Sequence, residues 1–287
     1  MRRMRRLLSE TCTRWYNNNP WQQSAALAYY AIFAIAPLFI IAVAIAGLVF
    51  GVQATANQIV GAIDGLVGQE LAMAIQSLLK NATRPESGKI ATLIGIVTLF
   101  VGAAGVVLQL KTSLNAIWCV QPQAGVGMLA IVWEYMSAFL IVLGIGFFLL
   151  VSLALSAGMA AVSKAFPLVL PGGVALWQWI DLAVSVLLLT VLFALTYKIL
   201  PAAKIAWRDV WIGALMTAVL FAGGKWLIGM YLSYSGVSSA YGAAGSLIVI
   251  LLWAYYSAQV FLFGAEFTHV FAQRRSAELE SPIPAGA

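Results

Sequence analysis

The chain has 287 residues, of which 62% are apolar and 9% charged, with 16 basic and 10 acidic side chains giving a net charge of +6. A soluble domain is about a quarter charged, and a mean hydropathy of +0.94 leaves too little polar surface for one. These values exclude a disordered chain, a disulfide scaffold and an ordinary cytosolic enzyme, and they predict an all-α, polytopic membrane protein.

Arg2, Arg3, Arg5, Arg6 and Arg14 form a basic arm over residues 1–24. Such an arm sets topology and attracts anionic lipid headgroups. No stacking aromatics alternate with the arginines, so nucleic acid is not an expected partner. Leu7 to Tyr16 reads as a short surface helix, and Asn17-Asn18-Asn19-Pro20 as a turn. Pro20 suits the first turn of the helix that follows. The stretch Leu7 to Asn19 is polar and the first apolar run is too long for an h-region, so no cleavable signal is expected.

A membrane-crossing helix needs about 20 apolar residues. Six stretches of a transmembrane domain at 25–272 meet this: about 25–50, 90–110, 129–154, 177–197, 210–232 and 245–271. Between the first two, Ile59, Ile63, Leu66, Val67, Leu71, Ile75 and Leu78 recur at helical spacing. They predict an amphipathic helix at about 55–80 on the outer interface. Arg84-Pro85-Glu86-Ser87-Gly88 ends that loop, and Pro167, Pro171, Gly172 and Gly173 mark the next outer one. Residues 273–287, with Pro and Ala after Ser276, are expected to be a disordered cytoplasmic tail.

The basic residues orient these spans. A cytoplasmic N-terminus places the arm, Lys111, Lys198, Lys204, Arg208, Arg274 and Arg275 inside, and Lys80, Arg84, Lys89 and Lys164 outside. The inside set dominates, and an even number of spans puts both termini in the cytoplasm. Cys12 and Cys119 fall on the same side. They are too few for a disulfide framework or a zinc site.

His269 is the single histidine, and no Walker A, HExxH or GxSxG motif occurs. No catalytic residue, metal site or cofactor is expected. His269 itself reads as an interfacial side chain. Charges inside spans say more, because each costs about 2.5–3.5 kcal/mol on insertion scales. Lys225 and Asp181 lie at similar depths from the outer ends of their spans and are expected to face one outer-leaflet cavity. They form either a Lys–Asp staple or a headgroup site. Glu134 and Glu266 lie near inner ends, at the depth of Lys111, Lys198 and Arg208. Interfacial salt bridges account for Glu134. Glu266 stands among Phe263, Gly264, Ala265 and Phe267, which makes it a stronger functional candidate. Gly102, Gly105, Gly223 and Gly224 mark close helix approaches, and Pro37 a kink.

Several stretches line up in order with one family. Ala25-Ala26-Leu27-Ala28-Tyr29-Tyr30 with Phe33 and Pro37, then Leu114-Asn115-Ala116-Ile117-Trp118, resemble the first signatures of the YihY/BrkB family of bacterial inner-membrane proteins. Tyr197-Lys198-Ile199-Leu200-Pro201 resembles its fourth loop. Tyr241-Gly242 through Trp253 to Gly264-Ala265-Glu266 resembles its closing signature. The resemblance covers about residues 10–272. It implies an inner-membrane protein of about six spans with envelope associations and an old ribonuclease BN label. RNA cleavage needs metal carboxylates or paired acid–base groups, which this chain lacks.

Three functions follow. One is a transporter or flippase for an anionic, amphiphilic envelope molecule such as a lipid, with Lys225 as a point charge. The second is a cation/proton exchanger with Asp181 or Glu266 as the titrating carboxylate. The third is a non-transporting scaffold in which the charges are staples. Membrane lipids are the expected partners, with an anionic amphiphile or an ion as substrate, and the bacterial inner membrane the expected location.

Overall fold

A computed structural model describes residues 2–34, 73, 89–120, 136, 173–235 and 245–280. Among them there are helices and no strands. In chain order these are α1 (Arg2–Asn17), α2 (20–34), α3 (Lys89–Ile117), α4 (Gly173–Ile199), α5 (Trp207–Ser235) and α6 (Gly245–Glu280). Three stretches of described helix are long and apolar enough to cross a membrane: Leu182–Ile199, Trp207–Tyr231 and Leu247–Ala277. They fall on the fourth, fifth and sixth predicted spans. α3 occupies the second, and α2 opens the first. Apart from Met73 and Met136, the predicted third span and the amphipathic helix at 55–80 lie outside the described residues, as do Pro37, Glu134, Tyr241 and Gly242.

α4 packs on α5, and α5 on α6, with α1 and α3 against α6. The centre of this arrangement is aromatic. Phe193 of α4 meets Phe221 of α5 edge-on at 5.7 Å, and Tyr197 tilts against Phe261 of α6 at 4.9 Å. Tyr197 is fully buried, and its hydroxyl donates to the Phe261 carbonyl at 2.8 Å. The same hydroxyl lies 3.1 Å from Thr217 Oγ1 of α5. A tyrosine inside an apolar bundle is tolerable because its one polar atom is satisfied there.

Glycines set how near α5 and α6 come. Gly213 faces the Thr268 hydroxyl, Gly264 faces Thr217 and Tyr197, and Gly224 faces the Tyr256 hydroxyl. At each of the three, an added Cβ would overlap the facing oxygen. The neighbouring Gly223, predicted to do the same work, has no atom within 4 Å of that position. One residue along a helix turns the side chain by about 100°, which carries it off the contact face. Between α2 and α3, Gly105 lies under the ring of Tyr30, and Gly102 under the backbone of Phe33 and Ala34.

The end of the bundle where α4 stops and α5 starts gathers the basic residues. Arg275 Nη1 lies 2.8 Å from Asp209 Oδ1 in the first turn of α5. Lys198 donates to the Ile205 carbonyl and sits 5.6 Å over the Trp207 ring. Asn115 Oδ1 accepts from the Ala202 amide at 2.9 Å, tying α3 to the α4–α5 loop. These anchors explain one departure from expectation. The tail predicted to be disordered from 273 begins as helix, because α6 continues to Glu280. Arg274 and Arg275 hold its last turns to α1 and α5. α1 is likewise longer than predicted, starting at Arg2. Pro20 opens α2 as expected, after Asn19 turns the chain with φ 50°. Asparagine tolerates this left-handed conformation better than most residues.

Candidate functional site

α6 is apolar over most of its length, and the polar side chains that interrupt it include Gln259, Glu266 and His269. α1 lies against this part of α6. Its Glu10 carboxylate accepts from Arg274 through Nε at 3.0 Å and Nη2 at 2.6 Å. Its Trp15 meets Phe263 edge-on at 6.0 Å and Trp21 of α2 at 5.2 Å. Leu7 and Thr11, one helical turn apart, are the buried face of α1.

The α1–α2 turn delivers Asn18 to Glu266. The Asn18 side-chain amide donates to Glu266 Oε1, while the Asn18 backbone carbonyl accepts from Gln23 Nε2 at 2.8 Å. Glu266 is 1% exposed. Two of the basic side chains that the sequence places at its depth lie elsewhere. The hydrogen-bond partner of Glu266 is a neutral amide. Lys198 turns to Ile205 and Trp207, and Arg208 is exposed. The charges of Arg14 and Glu10 reach this region from α1; Arg14 acts on both Glu266 and His269, and Glu10 on His269. Arg14 and Glu10 themselves pair at 3.3 Å.

His269 departs from the reading as an interfacial side chain. It is 4% exposed, with its ring 4.7 Å from that of Trp118 at the end of α3. α3 and α1 together cover the face on which it lies. Among the described residues, neither ring nitrogen of His269 has a hydrogen-bond partner. The same holds for both side-chain amide atoms of Gln259, for Trp15 Nε1 and for Ser24 Oγ. Buried polar groups are nearly always paired. This part of the bundle therefore carries donor and acceptor capacity that the described protein groups do not use. No group of three or more His, Cys, Asp or Glu among the described residues is arranged to hold a metal ion.

Lys225 and Asp181 occupy the other half of the bundle. Asp181 stands 18 residues before the end of α4 and Lys225 18 residues after the start of α5. Each is therefore about 27 Å along its helix from the α4–α5 loop. Lys225 is half-buried and continues the stripe of Val210, Ala214, Ala218 and Phe221, all buried. The side chain of Asp181 lies outside the described residues.

The signature residues serve mostly as packing and joints. Tyr30 covers Gly105, Asn115 holds the α4–α5 loop, and Trp118 covers His269. Tyr197 and Gly264 meet at the core, Pro201 is buried in the loop, and Trp253 packs on Phe221 at 5.4 Å. Tyr29 is exposed, beside Phe33. Sequence reasoning missed Asn18, because residues 248 positions apart share no spacing signal.

The order of these signatures along the helices matches one known family, described as Virulence factor BrkB, over residues 11–286. The chain belongs to this family. Among BrkB-like relatives, it is 32% identical over 247 residues to a UPF0761 membrane protein of Pseudomonas paraeruginosa, covering 84% of this chain and 57% of that protein. The figures are the same for a UPF0761 membrane protein of Pseudomonas aeruginosa strain LESB58. For one of Azotobacter vinelandii the identity is 30% over 258 residues, covering 88% of this chain and 60% of the relative. The chain thus spans 57–60% of the length of these BrkB-family relatives. No solved structure matches it.

Proposed function

We propose that this BrkB-family chain is a multi-pass transport protein of the bacterial inner membrane that exchanges a cation for protons at Glu266. In this reading it has six spans and cytoplasmic termini, performs no enzymatic reaction, and has membrane lipids rather than nucleic acid as its surroundings. The supporting observation is the buried Glu266 carboxyl within a helix long and apolar enough to cross a membrane, held by the neutral amide of Asn18. An acidic group inside a membrane span is expensive and usually lies on an ion or proton path. A glutamine would tie α1 to α6 without the charge, so a role confined to fastening does not need a carboxyl.

A second reading has its own observation. Lys225 lies on the buried stripe of α5, far from the basic end. A lysine there suits an anionic headgroup, so an amphiphilic anion such as a lipid is the alternative substrate.

The test is reconstitution in vesicles carrying a pH-sensitive dye, driven by sodium, potassium or calcium gradients. Wild type is expected to move protons against one of these cations, and Glu266→Gln to abolish the movement while remaining folded. Undiminished exchange by Glu266→Gln would discard the assignment. Transfer of labelled anionic lipid by wild type but not by Lys225→Met would favour the second reading instead.

A further inference from the structure

His269 stands three residues beyond Glu266 on α6, and side chains three apart share a helix face. It is 4% exposed, and neither ring nitrogen has a partner among the described residues. A ring kept only to fill space against Trp118 would be better made of carbon, since burying an unpaired polar group costs free energy that a phenylalanine or leucine avoids. An imidazole, by contrast, has two nitrogens that accept and donate at the same time, the property a proton path requires. Its surroundings are defined. From α1 come the charges of Arg14 and Glu10, the latter held by Arg274 of α6. α3 presents the uncharged Trp118, and Glu266 is the acidic neighbour on α6 itself.

Building on the Glu266 reading, we propose that His269 is a proton-relay site between Glu266 and the basic end of the bundle, its ligand a water molecule or hydronium ion. The Glu266 carboxyl passes its proton through water to one ring nitrogen. The other ring nitrogen releases its own proton toward the α1 side. The carboxylate is then an anion and the ring the opposite tautomer, which resets when its proton exchanges back. No other bond forms or breaks.

The chain has one histidine, so ring ¹⁵N labelling of the full chain, purified through a histidine-free tag, reports His269 alone. The relay predicts that each ring nitrogen exchanges between donor and acceptor, giving shifts averaged between the two tautomers, and that this averaging changes when Glu266 becomes glutamine. A single fixed tautomer, the same in both proteins, overturns it. In the sodium-, potassium- or calcium-driven vesicles, His269→Ala is expected to slow proton movement on the order of 100-fold, with added imidazole restoring it. His269→Gln, which keeps size and hydrogen bonding without titrating, stays slow. Wild-type rates in folded His269→Gln overturn the relay and leave His269 a polar spacer. The two readings fail separately. Exchange that survives in Glu266→Gln removes both the carboxylate assignment and the relay. Exchange lost in Glu266→Gln but intact in both His269 variants removes the relay alone. If no cation gradient moves protons in wild type, ring shifts that show tautomer exchange and sense Glu266 still support the relay, and the exchanger reading falls by itself.

Discussion

Gly264→Ala tests how the bundle is held together. A Cβ at that position would overlap Thr217 Oγ1 and stand 2.7 Å from Tyr197 Oη and 2.9 Å from Thr217 Cβ. Neither facing residue has room to retreat. Tyr197 is pinned by its bond to the Phe261 carbonyl, and Thr217 donates to the Gly213 carbonyl at 2.8 Å. Overpacking a close-packed site costs about 1–3 kcal/mol. The better helix propensity of alanine returns about 1 kcal/mol. The net expectation is a loss of about 1 kcal/mol. Reversible unfolding in mixed micelles, titrating a denaturing detergent, measures it. Thr217→Ala removes the obstructing oxygen, so the two substitutions together should cost less than their sum by about 1 kcal/mol or more. Gly223→Ala is the control: with nothing near its Cβ, it should be neutral or slightly stabilising. A Gly264→Ala protein as stable as wild type, or indistinguishable from Gly223→Ala, would refute the packing argument.

Two further predictions concern the basic end. The Glu10–Arg274 contact is about one-third exposed on both sides (34% and 31%), so Glu10→Ala should cost the whole protein little, about 0.5 kcal/mol. It should nonetheless speed amide hydrogen exchange over α1, with the swap Glu10→Arg plus Arg274→Glu restoring protection; unchanged exchange in Glu10→Ala would show that α1 is held by other contacts. At the end of α3, Cys119 has φ 54°, and the Cys119 and Val120 amides close the helix onto Ala116 and Asn115. Glycine suits that left-handed position, so Cys119→Gly should raise stability by about 1 kcal/mol, and a lower unfolding midpoint would contradict the geometry.

Much of the architecture was legible because a bilayer demands long apolar helices and leaves few alternatives. The predicted spans at 177–197, 210–232 and 245–271 fall on α4, α5 and α6 for that reason. Pro20 and the asparagine run marked the α1–α2 turn through local backbone chemistry alone. The site was legible only in part. Glu266 stood out because a carboxylate amid phenylalanine and glycine is costly wherever it points. His269 did not, because a histidine near a span end is ordinary until a neighbouring helix covers it. Nothing around Asn18 in the chain announces that its amide belongs to Glu266.

Amino-acid sequence by itself therefore determined the all-helical membrane class, the family, the apolar stretches and the residues too polar to be there without a partner. Tertiary structure decided which face of each helix is inside. It distinguished Gly224 from Gly223, buried Tyr197 with its hydroxyl satisfied, and brought α1 and Trp118 of α3 over Glu266 and His269. The physical reason is that a membrane helix is apolar all round. Its sequence periodicity does not say how it is rotated, and the rotation follows from the glycine clefts and hydrogen bonds made with other helices.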